Sequence, residues 1–419
     1  MGFLGRTTAA LSLLASIAAA KHYDVTVGKN GQLRFDPETL VAEIGDTITY
    51  NYFARNHSVT QSSFEKPCQP EAGGFFSGFV PTESPDVASR TTFTITVKDS
   101  KPIWVYCSQT NGNHCQSGMV HAINAPSQGN TFAKFKDLAA IAPTSTSPPD
   151  GLPVGGIRKL HVDVGLNGTL TYSPNNITEL PRTVVSFSFN PRNHTVTQSS
   201  FDKPCFPLPN NSGFSSGFIA TTQSPSGATF EIVIPDTKPI WFYCGQVNGN
   251  HCQAGMVGSI NAPVVGNTLE AFIAKAKVAP PPSVIPPIAP LGGKVFVKGK
   301  EILKFNLNGG NAIDVDQILG IAPPPVTVSG TIYPPMGTGK PSTLVTVTRP
   351  NTATYTTKTE TVTTKPYYTY GGEGEYKPTA TATYSKGWGK GGDEACDEEG
   401  SGSGEWSGEW KSKSWEKGY

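Results

Sequence analysis

Short runs of alternating apolar and polar residues recur along the first two thirds of the chain. They read HYDVTVG, DTITYNYF and RTTFTITV, and later LHVDVG, VVSFSF and TFEIVI. Each run is bounded by Gly, Pro, Asn and Ser, the residues that favour turns, so the pattern predicts short half-buried strands. Strands this short and this numerous are typical of a β-sandwich or barrel, and we therefore predict an all-β fold.

Three other kinds of segment follow the strands. GNTFAKFKDLAA and GNTLEAFIAKAK have helical spacing after an Asn-Thr start, which predicts one short helix at the end of each strand-rich region. Pro-rich stretches come next and predict extended spacers. One further segment, KVFVKGKEILKFNLNG, could form a hairpin. From residue 323 onward Thr, Pro, Tyr, Gly and Lys dominate, which predicts a largely disordered, O-glycosylated, low-complexity tail.

The strand-rich part of the chain is a tandem duplication. RNHSVTQSSFEKPC, starting at Arg55, recurs 137 residues later as RNHTVTQSSFDKPC. KPIWVYCSQTNGNHCQSGMV recurs at the same offset as KPIWFYCGQVNGNHCQAGMV. We therefore expect two similar domains. The predicted segments are a signal peptide 1–20, domain one 21–142, a linker 143–157, domain two 158–279, a Pro-rich linker 280–322 with the candidate hairpin, and the tail 323–419.

Charge and hydropathy limit where the protein acts. An apolar stretch from Ala9 to Ala20 follows Arg6 and predicts a cleaved secretory signal. The formal net charge is only +1, and it falls to zero without Arg6, so nucleic acid and anionic membranes are not expected partners. No later run is long enough to span a membrane, and the C-terminus lacks an apolar anchor signal. We expect a secreted protein, extracellular or associated with the cell wall.

The duplication also selects among the side chains that can bind metals. The chain has seven His, seven Cys and four Met. His22, His121 and His161 have no histidine at the offset position. The residues that recur in both copies are His57 with His194, His114 with His251, Cys68 with Cys205, Cys107 with Cys244, Cys115 with Cys252, and Met119 with Met256.

Two imidazoles, one thiolate and a weak axial thioether are the donors of a blue-copper site. Cysteine, histidine and methionine follow the last strand of each copy in the order C-x6-H-x4-M, and one more histidine lies far upstream. The pattern predicts two coppers per chain, one held by His57, Cys107, His114 and Met119, the other by His194, Cys244, His251 and Met256. The recurring cysteines that remain favour one disulfide per domain, Cys68 with Cys115 and Cys205 with Cys252. Cys396, in the tail, is left over.

These motifs resemble the cupredoxin superfamily, and most closely its phytocyanin branch. In that family a ligand histidine precedes a disulfide cysteine by about a dozen residues, and a C…HC-x2-G-M loop closes the site; this chain has HCQSGM and HCQAGM. Two features depart from the family. The interval from Cys107 to His114 is longer, and Ser58 or Thr195 follows the first histidine in place of Asn. The resemblance implies two Greek-key copper domains, and tandem secreted copies with such a tail resemble extracellular cupredoxin-type proteins of filamentous fungi.

The predicted function is therefore single-electron transfer or extracellular copper handling, with an unidentified redox partner or a cell-wall component as partner. The alternative is a structural surface protein whose cupredoxin domains bind no functional copper. A multicopper oxidase is disfavoured because its trinuclear cluster needs His-x-His pairs, which this chain lacks. Asn167, Asn176 and Asn210 are the predicted N-glycosylation sites, since the sequons at Asn56 and Asn193 adjoin ligand histidines.

Overall fold

The structure is a computed structural model that describes residues 19–280, 286–287, 289–302, 313–315, 343–350, 357–364 and 382–383. In the last three ranges only the backbone is described. The two α-helices of the described ranges have nine residues each, and neither could cross a membrane. The prediction of an all-β fold in two tandem copies is confirmed. Cys396, most of the predicted signal peptide and most of the tail lie outside the described residues.

The first copy contains ten strands and one helix. The strands are β1 His22–Val27, β2 Phe35–Asp36, β3 Thr39–Leu40, β4 Thr47–Tyr52, β5 Arg55–His57, β6 Thr60–Ser62, β7 Val80–Thr82, β8 Thr91–Thr96, β9 Ile103–Tyr106 and β10 Val120–Ile123, and the helix is α1 Phe132–Ala140. One sheet has the order β2-β1-β4-β8 and the other β3-β10-β9-β6. Alternate residues of β4 are buried, namely Ile48, Tyr50 and Tyr52, because one face of its sheet packs on the core.

The second copy repeats this arrangement. Its elements are β11 Ile157–Val164, β12 Tyr172–Ser173, β13 Asn176–Ile177, β14 Val184–Phe189, β15 Arg192–His194, β16 Thr197–Ser199, β17 Ile219–Thr221, β18 Ala228–Val233, β19 Ile240–Tyr243, β20 Val257–Ile260 and α2 Leu269–Lys277. The four-stranded sheet β13-β20-β19-β16 is the counterpart of β3-β10-β9-β6. The predicted helices are thus present, and the Oγ1 atoms of Thr131 and Thr268 accept hydrogen bonds at their N-termini.

One sheet continues through both copies. Strand β11, the first of copy two, pairs antiparallel with β8 of copy one, from Ile157 opposite Thr94 to Leu160 opposite Thr91. The preceding linker is also attached, since Val154 forms a β-bridge with Phe76. The segment predicted from its composition to be a spacer therefore lies along the first copy. Pairing of strand edges, which depends on tertiary structure, overrides the Pro-rich composition here.

A hairpin continues the sheet beyond the second copy. Strand β21, Lys294–Val297, pairs with β18 and turns into β22, Lys300–Glu301. Leu291 bridges Ser215 just as Val154 bridges Phe76, and Gly292-Gly293 lies 137 residues after Gly155-Gly156. The hairpin therefore occupies the edge of copy two that corresponds to the edge of copy one covered by β11. Strand β23, Ile313–Asp314, pairs with β17.

A second unit comprises the chain from Gln317 onward. Its described strands are β24 Thr343–Pro350, β25 Thr357–Thr364 and β26 Ala382–Thr383. They form an antiparallel sheet in the order β24-β25-β26.

The two cores fill equivalent space with different residues. In copy one His121 lies opposite Val105 on β10 and β9, and its buried ring packs 5.7 Å from that of Phe35 and 5.9 Å from that of Tyr50. In copy two Phe242 lies opposite Gly258. A Cβ atom at Gly258 would lie 2.3 Å from the Phe242 ring, so the larger residue on one strand requires the smaller one on its neighbour.

We expect the single variant His121→Gly to lower the free energy of unfolding by about 3 kcal/mol, because it leaves a cavity beside two aromatic rings. The single variant Val105→Phe should also destabilise, by overpacking. Together the two substitutions reproduce the pair in copy two, so the double variant should recover most of the loss. Denaturant unfolding of all four proteins measures the coupling. Additive effects of the two substitutions would contradict this description of the core.

Candidate metal centre

The first predicted ligand, His57, is held by backbone on two sides. It ends strand β5 and is fully buried, and its Nε2 lies 3.1 Å from the carbonyl oxygen of Ala54. A Cβ atom at Gly28 would lie 2.2 Å from the same Nε2, and the φ of Gly28 is 77°, so only glycine allows this approach. When Nε2–H donates to Ala54, Nδ1 carries the lone pair that can bind a metal.

The other three predicted ligands lie on one loop after β9. Cys107 follows the strand directly, and its N–H donates to the carbonyl of Met119 at 3.1 Å. The N–H of Met119 donates to the carbonyl of His114 at 2.9 Å, and that of His114 donates to Gln109 at 3.2 Å. These bonds close the loop on itself, so the spacing C-x6-H-x4-M gives a compact turn in which Cys107, His114 and Met119 are buried, while Thr110, Asn111 and Asn113 at its tip are exposed.

Three donor atoms converge in this first site. Cys107 Sγ lies 3.8 Å from Nδ1 of His57 and 3.4 Å from Nδ1 of His114, and all three donors lie within 4.8 Å of one another. Metal bonds to N and S measure about 2.0–2.3 Å. Donors arranged trigonally around one ion are then separated by roughly 3.5–4 Å. The three donor atoms therefore fit a single ion, and Met119 is fully buried in the same cluster as Cys107.

The second copy reproduces the arrangement. Cys244 Sγ lies 3.9 Å from Nδ1 of His194 and 3.4 Å from Nδ1 of His251. A Cβ atom at Gly165 would lie 2.4 Å from Nε2 of His194, as at Gly28 in the first copy. Met256 is fully buried, and its carbonyl accepts the N–H of Cys244 at 3.0 Å.

Burial sets the protonation state of these groups. It raises the pKa of the Cys107 and Cys244 thiols to about 11, so in the metal-free protein both are protonated at neutral pH. Burial, with the charges of His57 and Arg55, lowers the pKa of His114 to about 4, and burial lowers the pKa of His57 as well. Neutral imidazoles with free lone pairs are the form that binds metals.

A backbone amide points at each sulfur. The N–H of Ser58 donates to Cys107 Sγ at 3.4 Å, and that of Thr195 donates to Cys244 Sγ at the same distance. These bonds do not depend on the side chain, so the replacement of the family's Asn by Ser58 or Thr195 leaves them in place. In copy one the Ser58 hydroxyl oxygen also accepts the N–H of Ser108 at 2.8 Å.

A residue of the chain that follows the second domain packs beside the second site. Gly245, next to the Cys244 thiol, replaces Ser108 of the first copy, and its N–H donates to Thr195 Oγ1 at 2.7 Å. A Cβ atom at Gly245 would lie 2.1 Å from Pro286, which is buried. Pro286 therefore packs against the residue that follows Cys244, and glycine is required for that contact.

The structure contains both expected disulfides. Cys68 bonds to Cys115 and Cys205 to Cys252, each across 47 residues, which leaves Cys107 and Cys244 as the free cysteines of the described residues. Because Cys115 and Cys252 directly follow His114 and His251, each disulfide ties a ligand loop to the body of its domain. The helices pack here as well, since Trp104, Phe135 and Ala139 share a buried cluster with the first disulfide.

The remaining predicted residues lie elsewhere. Within the described ranges the only His/Cys/His groups that could hold an ion are the two above, and neither includes His22, His121 or His161. The side chains of the three predicted glycosylation sites, Asn167, Asn176 and Asn210, are exposed, whereas the Oδ1 atoms of Asn56 and Asn193 are buried. Sequence reasoning missed the roles of Gly28 and Gly165, although both recur at the 137-residue offset.

We expect metal binding at pH 8 to release about one proton per site, because the imidazoles are already neutral and each protonated thiol must ionise. A copper(I) titration in weak buffer with a pH indicator measures the release. Cys107→Ser should halve it. Release of much less than one proton per bound ion would mean that the thiols ionise before metal arrives, contrary to their burial.

No protein-family model matches the chain. Over 136 residues, 32% of this chain, it is 40% identical to an extracellular serine-rich protein of Arthroderma benhamiae, and it spans about half, 51%, of that protein's length. Over 168 residues, 38% of this chain, it is 31% identical to "Probable GPI-anchored cupredoxin-1" of the same organism and covers 86% of that protein.

The solved structures that are similar to part of the chain include a pseudoazurin and an auracyanin. Native pseudoazurin from Hyphomicrobium denitrificans is 19% identical, with a TM-score of 0.17, over 24% of this chain and 73% of its own. Auracyanin A from Chloroflexus aurantiacus is 12% identical, with a TM-score of 0.19, over 24% of this chain and 95% of its own. The assignment rests on the sequence relative that is covered over most of its length: this chain belongs to the cupredoxin family.

Proposed function

We propose that each copy binds one copper ion and that the protein carries single electrons outside the cell. The first ion would be held by His57, Cys107, His114 and Met119, and the second by His194, Cys244, His251 and Met256. The observation that supports this most directly is the convergence of two imidazole nitrogens and one thiol sulfur, all buried, in each copy. Copper bound to such donors supplies reversible one-electron redox chemistry.

The donor set favours copper over other ions. Thiolate and thioether sulfurs are soft and hold Cu(I), whereas imidazole also serves Cu(II), so one set of ligands suits both oxidation states. Zinc sites of structural type use four strong Cys or His ligands, and each group here offers only three. The fourth donor, a methionine, is characteristic of blue-copper electron-transfer sites.

The surrounding residues support electron transfer in three ways. Gly28 and Ala54 fix one imidazole, and the loop hydrogen bonds fix Cys107 and His114, so the ligands have little room to rearrange when the oxidation state changes. The Ser58 amide stabilises negative charge on the sulfur. Burial of all donors keeps water away from the ion.

A cell-surface or extracellular location fits both relatives, whose names describe an extracellular protein and a GPI-anchored one. Glycans at the exposed Asn167, Asn176 and Asn210 are part of this proposal, as is an electron-transfer role without turnover of a substrate. Glycosidase treatment of the secreted protein, followed by peptide mapping, tests the glycans. Unmodified asparagine at all three positions would overturn that part.

Metal analysis combined with visible and electron paramagnetic resonance spectra tests the copper proposal. We expect about two coppers per chain and a thiolate charge-transfer band that a mild reductant bleaches and an oxidant restores. Steady dioxygen consumption with a phenolic substrate would indicate an oxidase instead. Correctly disulfide-bonded protein that takes up less than one copper per chain would support the structural alternative and overturn the proposal.

A further inference from the structure

The junction between the two copies contains a buried salt bridge. Nη2 and Nε of Arg158, on β11 of copy two, each lie 2.9 Å from Oε2 of Glu179, and the side chains are only 3% and 5% exposed. Thr91 of copy one donates to the other carboxylate oxygen. Both charged residues belong to copy two, and buried charges are costly unless they are fully paired, so the contact from Thr91 of copy one helps to satisfy the buried carboxylate.

The same guanidinium reaches into the first copy. Its Nη1 donates to the carbonyl oxygens of Ser77, at 2.9 Å, and Phe79, at 3.2 Å. Ser77 is fully buried and holds Val59 by two bonds, since its N–H donates to the Val59 carbonyl at 3.0 Å and its Oγ accepts the Val59 N–H at 2.9 Å. Arg158 therefore fixes the segment that carries Val59.

Val59 lies between that support and the metal ligands. The residue before it, Ser58, donates its N–H to Cys107 Sγ, and the residue before that is His57. A continuous chain of contacts thus runs from Arg158 through Ser77 and Val59 to the thiol and the imidazole of the first site.

The second site has the same pair of hydrogen bonds between a valine and a serine, but no arginine stands at the position equivalent to Arg158. Val196 N–H donates to Ser216 Oγ at 2.8 Å, and Ser216 N–H donates to the Val196 carbonyl at 3.0 Å. The strand that covers this edge is β21, and the residue 137 positions after Arg158 is the apolar Val295. The two copies therefore support otherwise similar sites differently.

We propose that Arg158 is a positioning residue of the first metal site, which is thereby completed by the second copy. The inference rests on the proposed copper function. Loss of Arg158 leaves the Ser77 and Phe79 carbonyls without their buried donors, so the segment 57–59 loses its support. Residues that orient metal ligands typically change metal affinity 10- to 100-fold when they are replaced.

The test uses the full chain with one site at a time. Cys244→Ser leaves only the first site to report, and Cys107→Ser leaves only the second. Into each background we introduce Arg158→Met together with Glu179→Leu, because replacing both buried charges with apolar residues preserves folding better than removing one. We expect copper affinity at the first site to fall by about tenfold or more, with a shifted thiolate band, and the second site to be unchanged.

Arg90→Ala is the matched control. Arg90 pairs with Asp163 at 2.7 Å across the same junction, but its side chain is 44% exposed and its ion pair is at the surface. It should leave both sites unchanged. If Arg158→Met/Glu179→Leu lowers copper affinity equally at both sites, the effect is general destabilisation and the proposal is overturned. Unchanged copper affinity at the first site would also overturn it.

A metal-free measurement separates this inference from the copper function. Amide hydrogen exchange at Val59, whose N–H bonds to Ser77, should be at least tenfold faster in the Arg158→Met/Glu179→Leu protein than in the parent. The corresponding amide of Val196 in copy two should not change. If the parent binds no copper, the proposed function fails and this comparison still decides the role of Arg158. Unchanged amide exchange at Val59 would overturn the proposed role of Arg158.

Discussion

Replacing Cys107 with Ser is expected to remove about half of the visible absorbance of the copper-loaded protein, because the absorbance of the proposed sites would arise from charge transfer between thiolate and copper. The hydroxyl of serine cannot supply this transition. Cys107 is one of only two free cysteines in the described residues, and its sulfur is the donor that both Nδ1 atoms of the first site face. Absorbance and electron paramagnetic resonance of the purified variant measure the loss.

The same substitution in the second site and a histidine control complete this experiment. Cys244→Ser should remove the other half, and the double variant should be colourless. His22→Ala is the matched histidine control, since His22 is 53% exposed in its side chain and its imidazole contacts Thr47 away from both donor groups. Full colour in Cys107→Ser would contradict the assigned thiolate, and lost colour in His22→Ala would contradict the choice of histidines.

The candidate ligands could be predicted because two kinds of information agreed. Duplication retained His57, Cys107 and His114 and rejected His121, and the retained residue types have few other common uses. The structure then places His121 in the core, where Phe242 and Gly258 fill the equivalent space in copy two. Packing in the core thus explains why His121 has no counterpart in the second copy.

Other features of the site have no side-chain pattern. The N–H of Ser58 donates to the Cys107 sulfur whatever side chain residue 58 carries. Gly28 lets His57 approach closely because it has no Cβ atom. The residue types at these positions are also common in turns, so a single sequence predicts a turn and gives no indication of a ligand support.

The pairing of the two copies was beyond sequence reasoning for a different reason. A strand's alternation predicts which face is buried but not which neighbouring edge it joins. Arg158 lies two residues before the predicted run LHVDVG, on the part of β11 that the alternation did not include, and its partner Glu179 is 21 residues away. Arg158 alternates with the buried Leu160 and Val162, but in the sequence an arginine there is indistinguishable from a residue on a solvent-exposed face.

The disulfides should contribute strongly to stability. Each closes a 47-residue separation, for which the chain-entropy estimate is about 4 kcal/mol. We expect Cys68→Ala/Cys115→Ala and Cys205→Ala/Cys252→Ala to lower the free energy of unfolding of their own domains by similar amounts, because the separations are equal. Both cysteines must be replaced together, since a single remaining thiol could pair wrongly with Cys107 or Cys244.

Denaturant unfolding, followed by the copper band of the affected domain in the matching single-site background, measures this loss. The effect should reach the metal as well, because Cys115 adjoins His114 and Cys252 adjoins His251, so each loop loses its attachment to the buried cluster that contains the helix. The control is the same disulfide removal in the other single-site background, where the reporting domain keeps its own disulfide, and the midpoint of its copper band should be unchanged. A change below about 1 kcal/mol would mean that the sheets and helices alone hold the ligand loop, since the entropic contribution of a loop this long should be several-fold larger.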